Sequence, residues 1–319
     1  MYEVTGKKIF VAGHKGMVGS AVCQKLSAQG AQVLVADRGE LDLTNQGQVS
    51  QWMAQKKPQG VVLAAAKVGG IYANDTYPAD FLYQNLMIEA NVIHSAYENA
   101  VEKLLFLGSS CIYPKLAPQP MQEGCLLTSD LEPTNQWYAI AKIAGLKMCE
   151  AYHKQYGCNF ISAMPTNLYG PGDTYSLKNS HVIPAMILKI HQAKVETQES
   201  VEIWGTGEPL REFLYIEDLA DALVYIFQNF EGNPLTGERH INVGTAQEVS
   251  IKELSQIIAQ VVGYEGDFYF NSAYPNGTPR KLLDTSALNT LGWEPQHSLV
   301  QGLEKTYQAF LDGAGRFDS

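Results

Sequence analysis

The stretch KIFVAGHKGMVGSAVCQKLSAQ, at residues 8–29, decides the fold of this 319-residue chain. A short β-rich run at 8–12 enters a turn with Gly-x-x-Gly-x-x-Gly spacing at 13–19, and a helical pattern follows at 20–29. In this order, backbone N–H groups and the positive end of a helix dipole would face a bound pyrophosphate. The stretch therefore predicts the start of a dinucleotide-binding fold, with a tight structural turn that holds no ligand as the alternative.

Strand-like and helix-like segments alternate from this stretch onward. Further strands are predicted at 32–36, 60–66, 103–108 and 160–164, and a long helical pattern between them runs over 80–99. Such alternation predicts an α/β fold built on a doubly wound, mostly parallel sheet of the Rossmann type.

The pattern becomes irregular beyond Gly172, which indicates a second, smaller α/β domain that would bind substrate. The expected pieces are helices at 182–194, 250–262 and 298–312, and short strands at 201–204 and 211–215. A strand at 239–243 is expected to return to the main sheet. The predicted division is 1–178 plus 211–245 for the cofactor domain and 179–210 plus 246–319 for the substrate domain.

Composition and charge narrow the functional classes. The chain is 45% hydrophobic and 18% charged, as in a globular protein, and its net charge of −10 argues against a nucleic-acid partner or an anionic membrane surface. Its five cysteines show no Cys-x-x-Cys spacing, so neither a disulfide framework nor a zinc site is expected. Because no apolar run is long enough for a membrane span or a signal peptide, a cytoplasmic location is expected.

A single Tyr-x-x-x-Lys pattern, from Tyr138 to Lys142, occurs among the 17 tyrosines. On a helix these two residues lie on the same face, and a nearby ammonium would lower the pKa of the phenol toward neutral pH. Tyr138 is thereby a candidate proton donor to a carbonyl that takes up hydride. The alternative is an ordinary amphipathic helix with a half-buried tyrosine.

Two other positions at strand ends carry candidate roles. Ser109 follows the strand predicted at 103–108 and would either hydrogen-bond a substrate carbonyl beside Tyr138 or only form a turn. Asp37 and Arg38 follow the second strand, where an acidic residue binds the ribose of NAD and an arginine accommodates the phosphate of NADP. The chain offers both, so these residues alone leave the choice open, and a solvated loop pair is a further alternative.

Seven motifs carry a resemblance to a known family. They are AGHKGMVG at 12–19, AAAKVGGI at 64–71, LGSSCIYP at 107–114, PTNLYGP at 165–171, NSHVIP at 179–184, REF at 211–213 and GTPRKLLD at 277–284. They span nearly the whole chain, which resembles the extended short-chain dehydrogenase/reductases. Within that family the resemblance is specific to enzymes that epimerise GDP-4-keto-6-deoxy-D-mannose at C3 and C5 of the sugar and reduce its C4 ketone.

The resemblance implies two sets of catalytic residues. Cys111 is the implied base and His181 the implied acid of the epimerisation, which needs a base on one face of the sugar and an acid on the other. For the reduction it implies Tyr138 as proton donor, Lys142 as the residue that biases the pKa of Tyr138 and holds the nicotinamide ribose, and Ser109 as the residue that positions the ketone. Outside the motifs, Cys111 would be a small buried residue and His181 a helix-start or surface residue.

The resemblance also implies NADP(H) as the cofactor, and no metal is expected. The residues expected to hold the cofactor are Gly13, His14, Lys15, Gly16, Met17, Val18, Gly19, Arg38, Leu107, Gly108, Lys142, Pro165, Thr166, Asn167, Leu168 and His181. The family often has two arginines after the second strand, whereas here Ala36 stands at the first position and Asp37 precedes Arg38. Because Asp37 would repel the extra phosphate of NADP, NAD(H) is the alternative.

The diphosphate of the expected substrate has to be met by cations in this acidic chain. The candidates for substrate binding are Lys189, Trp204, Arg211, Arg280, Lys281 and Asp284. Trp204 would pack on the guanine or the sugar. A homodimer through helices near 80–99 and 135–156 is implied by the resemblance.

Other functional classes stay open. Nucleotide-sugar 4,6-dehydratases of the family carry an Asp-Glu pair where Ser110 and Cys111 stand, and a simple 4-epimerase would not need the pair of Cys111 and His181. Both are therefore less favoured than the epimerase-reductase. A non-catalytic dinucleotide-binding sensor would not need Tyr138 and Lys142.

Overall fold

A computed structural model describes residues 1–176, 180–233, 236–274 and 276–317. Asn179, the first residue of the NSHVIP motif, and the predicted domain boundary at 178/179 lie outside these residues. Fourteen strands occur within the described ranges: β1 Lys8–Ala12, β2 Gln32–Leu34, β3 Gly60–Leu63, β4 Lys103–Leu107, β5 Phe160–Pro165, β6 Asn167–Tyr169, β7 Thr174–Tyr175, β8 Ser200–Trp204, β9 Leu210–Tyr215, β10 His240–Val243, β11 Glu248–Ser250, β12 Asp267–Asn271, β13 Arg280–Lys281 and β14 Arg316–Phe317.

Ten α-helices accompany the strands in the same described ranges: α1 Met17–Ala28, α2 Gln46–Lys56, α3 Ile71–Thr76, α4 Pro78–Glu98, α5 Gln136–Tyr156, α6 Val182–Val195, α7 Ile216–Asn229, α8 Ile251–Val262, α9 Ser286–Leu291 and α10 Leu299–Leu311. Two short 3-10 helices follow β4, at Ser110–Ile112 and Glu123–Cys125. Within the described part of the chain, none of the helices combines the length and the apolar character needed to cross a bilayer.

The main sheet has six parallel strands in the order β2-β1-β3-β4-β5-β10. Alternate residues of its central strands enter two separate hydrophobic clusters, one on each face. Val92 of α4 and Leu146 of α5 belong to one cluster, and Val22 of α1 and Leu223 of α7 belong to the other. Helices thus cover both faces, as a parallel sheet requires. This confirms the predicted doubly wound sheet, and the strand expected at 239–243 is present in it as β10.

The glycine turn after β1 is tighter than its sequence pattern suggests. Gly13 has a φ of +90°, and a Cβ there would lie 2.7 Å from the backbone N of Ala65. A Cβ on Gly19 would lie 2.2 Å from the carbonyl oxygen of Gly13, so this glycine packs directly under the turn. The helix α1 consequently begins at Met17 rather than at the predicted Ser20, because the last glycine of the motif serves helix packing and not the loop.

The later strands form smaller sheets beside the main one. β9 pairs with β6, β11 and β13, and β8 pairs with β12. The helices and strands predicted after Gly172 are present, with ends that shift by at most one residue. β9 falls almost wholly within the segment 211–245 assigned to the cofactor domain, yet two of its partners belong to the substrate segment, so the domain division remains a prediction.

Candidate active site

The carboxyl ends of the parallel strands meet at one edge of the main sheet, where open α/β sheets bind their ligands. β1 leads into Gly13, β4 leads into Ser109, and β5 leads into Thr166 at this edge. Tyr138 and Lys142 lie in the first half of α5, which packs against α4 and against the 3-10 helix that follows β4. Residues from distant parts of the sequence are therefore delivered to the same crevice.

The glycine turn fits the pyrophosphate of a dinucleotide. Gly16 caps α1 and offers no side-chain hydrogen bond, and no acidic residue stands in the first turn of the helix. The backbone N–H groups and the positive dipole end are therefore available to an anion. The backbone packs so closely around Gly13 and Gly19 that neither position has room for a side chain. Because no side chain is in the way, a phosphate can reach the backbone N–H groups of the turn.

The turn after β2 carries the residues expected to select the cofactor. The carboxylate of Asp37 accepts hydrogen bonds from the backbone N–H groups of Glu40, at 3.1 Å, and Gly39, at 2.9 Å, and lies 3.5 Å from Lys15 Nζ. The two backbone bonds, followed by Lys15, lower the pKa of Asp37, so the carboxylate is charged at neutral pH. Arg38 is exposed and stands next to it.

The loop after β5 braces the edge of the main sheet against β9. Thr166 Oγ1 and Asn167 Nδ2 both donate hydrogen bonds to the carbonyl oxygen of Glu212, at 3.2 and 2.8 Å. Pro165 ends β5, and Leu168 is the middle residue of β6. These four predicted cofactor residues therefore lie at the edge where the parallel strands end, and two of their side chains have a structural role there.

Cys111 lies in the short 3-10 helix Ser110–Ile112. The Oγ of Ser109 accepts a hydrogen bond of 3.4 Å from the backbone N–H of Cys111, whose side chain is buried. Burial raises the pKa of the thiol, and this rise is partly offset by the charge of Lys281, a hydrogen bond with Ser109 and the charge of Lys142. The neutral thiol is therefore the main form near pH 7, and Lys281 is the cation that most favours the thiolate.

Tyr138 and Lys142 lie on one face of α5, as predicted. Lys142 Nζ is 5.7 Å from the centre of the Tyr138 ring and donates a hydrogen bond of 3.0 Å to the carbonyl oxygen of Leu107. Burial raises the pKa of Tyr138 well above its usual value, and the charges of Cys111 and Glu89 add to the rise. The predicted lowering of this pKa by Lys142 is therefore wrong, because burial and acidic neighbours dominate. The phenol remains protonated at neutral pH.

Glu89 of α4 is a site residue that the sequence patterns did not single out. Its Oε1 lies 3.1 Å from Lys142 Nζ, and the two side chains are only 1% and 2% exposed. Burial raises the pKa of Glu89 to about 7, against an opposing effect of Lys142. A signal was present: Phe81, Asn85, Glu89 and Val92 share the buried face of one helix, so a carboxylate stands where an apolar residue is expected.

Lys281 lies electrostatically close to both residues that were predicted for the epimerisation. It lies beside Arg211 of the neighbouring strand, and its charge acts on both Cys111 and His181. His181 caps α6; burial lowers the pKa of its imidazole, and the charge of Lys281 lowers it further. The structure thus groups the predicted base and the predicted acid around one cation.

Arg280 and Asp284, two predicted substrate residues, are engaged elsewhere. Arg280 alternates with Lys281 along β13 and therefore faces the other side of the strand, where its Nε lies 2.8 Å from the carboxylate of Glu248. Asp284 accepts a hydrogen bond of 2.9 Å from the backbone N–H of Ser286. The structure does not group Arg280 with Lys281.

Lys189 and Trp204 form a separate aromatic cluster with Tyr274, a residue that the sequence patterns did not single out. Lys189 Nζ lies 4.6 Å from the centre of the Trp204 ring, which stacks on Tyr274 at 4.4 Å. Lys189 stands two helical turns after His181 in α6, roughly 12 Å along the axis. This spacing is compatible with binding a part of the ligand remote from the reacting carbons.

Comparisons with known proteins agree with this arrangement. Residues 9–244 match the model of the NAD dependent epimerase/dehydratase family. The GDP-L-fucose synthase of Sinorhizobium fredii is 56% identical over 98% of both chains, and the GDP-L-fucose synthase of Escherichia coli strain K12 is 52% identical over 98% of both. A solved structure of MlghC, a GDP-mannoheptose C4 reductase from Campylobacter jejuni with NADP bound, is 39% identical, has a TM-score of 0.88, and covers 98% of this chain and 99% of its own.

Proposed function

Because the chain belongs to the NAD dependent epimerase/dehydratase family, and within it to the GDP-L-fucose synthases, we propose that it converts GDP-4-keto-6-deoxy-D-mannose into GDP-L-fucose with NADPH. The observation that carries this proposal is that Cys111 acts electrostatically on both Tyr138 and Lys281. Residues coupled in this way lie close enough to handle protons on a single sugar. Both half-reactions would then occur in one crevice.

In the reduction, the bound nicotinamide supplies a hydride to C4 of the sugar. Tyr138 donates a proton to the C4 oxygen, and its raised pKa keeps the phenol in the protonated form that this step needs. The hydroxyl of Ser109 donates a hydrogen bond to the same oxygen. Lys142 stabilises the phenolate that is left behind, since its ammonium lies over the ring of Tyr138.

In the epimerisation, Cys111 removes the proton next to the ketone and His181 returns one on the opposite face. Both groups work against their resting ionisation, because burial raises the pKa of Cys111 and lowers that of His181. The reactive pair, thiolate with imidazolium, is therefore a minor form, but it contains a stronger base and a stronger acid. Lys281 favours the thiolate and disfavours the imidazolium, so it sets the balance between the two.

Replacing Lys281 by methionine tests that balance. Without its charge the pKa of Cys111 rises further, and we expect solvent deuterium exchange at C3 and C5 to fall about tenfold at neutral pH. Exchange should not recover as the pH is raised, because the imidazolium of His181 is lost as the thiolate of Cys111 is gained. The control is Lys305→Met, which removes a cation from an exposed pair with Glu217. Exchange that stays at the rate of the unaltered chain, or that falls equally in Lys305→Met, would contradict this role of Lys281.

The cofactor proposal is NADP(H), while the nicotinamide itself follows from family membership. Two cations, Lys15 and Arg38, stand at the turn after β2, and the carboxylate of Asp37 is occupied by backbone N–H groups and offset by Lys15. The repulsion expected between Asp37 and a ribose phosphate is thereby reduced. The bound NADP of the C4 reductase relative supports the same choice.

Replacing Arg38 by alanine would remove one of these cations. We expect the KM for NADPH to rise about tenfold, as for the loss of one charge-assisted hydrogen bond. The KM for NADH, which lacks the extra phosphate, should not change and serves as the internal control. Steady-state kinetics with both cofactors gives the answer. An unaltered chain that oxidises NADH with the higher kcat/KM would overturn the NADP proposal.

A homodimer through α4 and α5 is part of the proposal. The two helices pack together, and they carry exposed large side chains: Tyr83, Trp137, Ile140 and Tyr156. Such residues favour a surface that is covered by a partner. A second copy of the chain is the occupant that the family resemblance implies.

A C4 reductase without epimerase activity is the second candidate, because the NADP-bound relative is named a GDP-mannoheptose C4 reductase. A coupled assay with GDP-4-keto-6-deoxy-D-mannose and NADPH separates the classes. The proposed enzyme oxidises NADPH and incorporates solvent deuterium at C3 and C5, whereas a plain reductase oxidises NADPH without incorporation. A dehydratase or 4-epimerase turns over without net loss of NADPH, and a sensor does not turn over.

A further inference from the structure

The ion pair between Lys142 and Glu89 differs from the others in the described part of the chain, because both of its side chains are buried. The exposed pair of Lys7 and Glu102 is typical of the rest. A buried pair adds little net stability, since removing two charges from water is as unfavourable as their attraction is favourable. The main effect of this pair is therefore on the position of the Lys142 ammonium, and not on the stability of the fold.

The ammonium of Lys142 is fixed by three groups from two elements, α4 and β4. Glu89 Oε1 of α4 lies at 3.1 Å, the carbonyl oxygen of Leu107 at the end of β4 lies at 3.0 Å, and the ring of Phe106 is centred 4.6 Å away. A glycine at position 145 makes room for the carboxylate, because a Cβ there would lie 2.8 Å from Glu89 Oε2. Glu89 thus supplies the only carboxylate among these contacts.

We propose that Glu89 is a positioning residue for the reduction, whose carboxylate holds the ammonium of Lys142 in place between Leu107 and the ring of Tyr138. The inference rests on the proposed function. It gives Glu89 of α4 an indirect role in the proton transfer by Tyr138 of α5. Glu89 does not touch the substrate in this role. It acts through Lys142, which stabilises the phenolate of Tyr138.

The ionisation of Glu89 supports the proposal. Its pKa is raised to about 7, so the carboxylate loses its charge as the pH falls through this value, and Lys142 loses its counter-ion. The other titratable groups that act on this site are Tyr138 and Cys149 of α5 and Cys111 after β4. We therefore expect the rate of reduction to decline on the acid side of pH 7.

The substitution Glu89→Gln removes the charge and keeps the shape. We expect kcat for NADPH oxidation to fall about 100-fold, as for a misplaced catalytic group. The decline of the rate on the acid side of pH 7 should also disappear from the pH-rate profile, because the group that titrates there is gone. Deuterium exchange at C3 and C5 should stay near that of the unaltered chain, because Cys111 and His181 are not held by Glu89. Glu89→Asp, which keeps the charge, should retain the decline of the rate on the acid side. An equal loss of reduction and exchange in Glu89→Gln would show a merely structural role and overturn the proposal.

A melting series tests the pair without any substrate. Glu89→Gln and Lys142→Met each leave a buried charge unpaired, so the double variant should melt above Lys142→Met alone. The matched control is Glu102→Gln with Lys7→Met, an exposed pair for which the effects should add. If the losses in melting temperature of Glu89→Gln and Lys142→Met simply add in the double variant, the proposal is contradicted. Failure of the unaltered chain to oxidise NADPH with the keto sugar would instead refute the proposed function and leave this series interpretable.

Discussion

Phenylalanine in place of Tyr138 lowers kcat for NADPH oxidation about 1,000-fold, as expected for the loss of a general acid. The ring remains, and with it the edge-to-face contact with Phe81 at 6.5 Å, so the crevice keeps its shape. Only the proton donor is lost. Deuterium exchange at C3 and C5 continues, because Cys111 and His181 are intact.

Two measurements on the same preparation check this expectation. Absorbance at the NADPH band reports reduction, and NMR of the recovered sugar reports exchange. Tyr269→Phe is the control, since Tyr269 is exposed on β12 and has no proposed role. A Tyr138→Phe variant that still reduces the ketone at the original rate would remove Tyr138 from the mechanism.

Alanine in place of Cys111 has the second large effect. Deuterium incorporation next to the ketone falls about 1,000-fold, because the general base of the epimerisation is absent. Formation of GDP-L-fucose falls with it, since the inverted ketone is no longer supplied. Binding of NADPH, followed by its fluorescence, is unchanged because Tyr138 and Lys142 remain in place.

Cys158→Ala is the matched control for this thiol. Cys158 is half-buried after the end of α5 and has no proposed part in catalysis. It should lose neither exchange nor product formation. Persistent exchange in Cys111→Ala at the original rate would assign the base to another group and leave Cys111 as a packing residue.

The fold was predictable because its signals are local. Apolar runs separated by helical periods predict a parallel sheet, and the positions of Ser250 and Ser298 predict helix starts that the structure confirms with capping boxes at α8 and α10. The glycine turn was recognised, but the start of the helix that follows it was placed three residues too late. Gly19 belongs to that helix because it packs against the backbone of Gly13, a contact that exists only in the folded chain.

The electrostatics of the site were not predictable from spacing. Tyr138 and Lys142 are one helical turn apart, which suggested that the cation controls the phenol. The sign of the pKa shift is set instead by burial, with Cys111 and Glu89 adding to it, and these groups arrive from other parts of the chain. Likewise, only the folded chain brings the charge of Lys281 to Cys111 while it pairs Arg280 with the carboxylate of Glu248.

The central claim is that one crevice inverts both carbons beside the ketone and then reduces it. Incubation of the unaltered chain in D₂O with GDP-4-keto-6-deoxy-D-mannose and NADPH, followed by NMR of the product, tests this most directly. The predicted product is GDP-L-fucose with deuterium at C3 and C5. An unlabelled 6-deoxyhexose of the D configuration would contradict the claim and identify the chain as a C4 reductase alone.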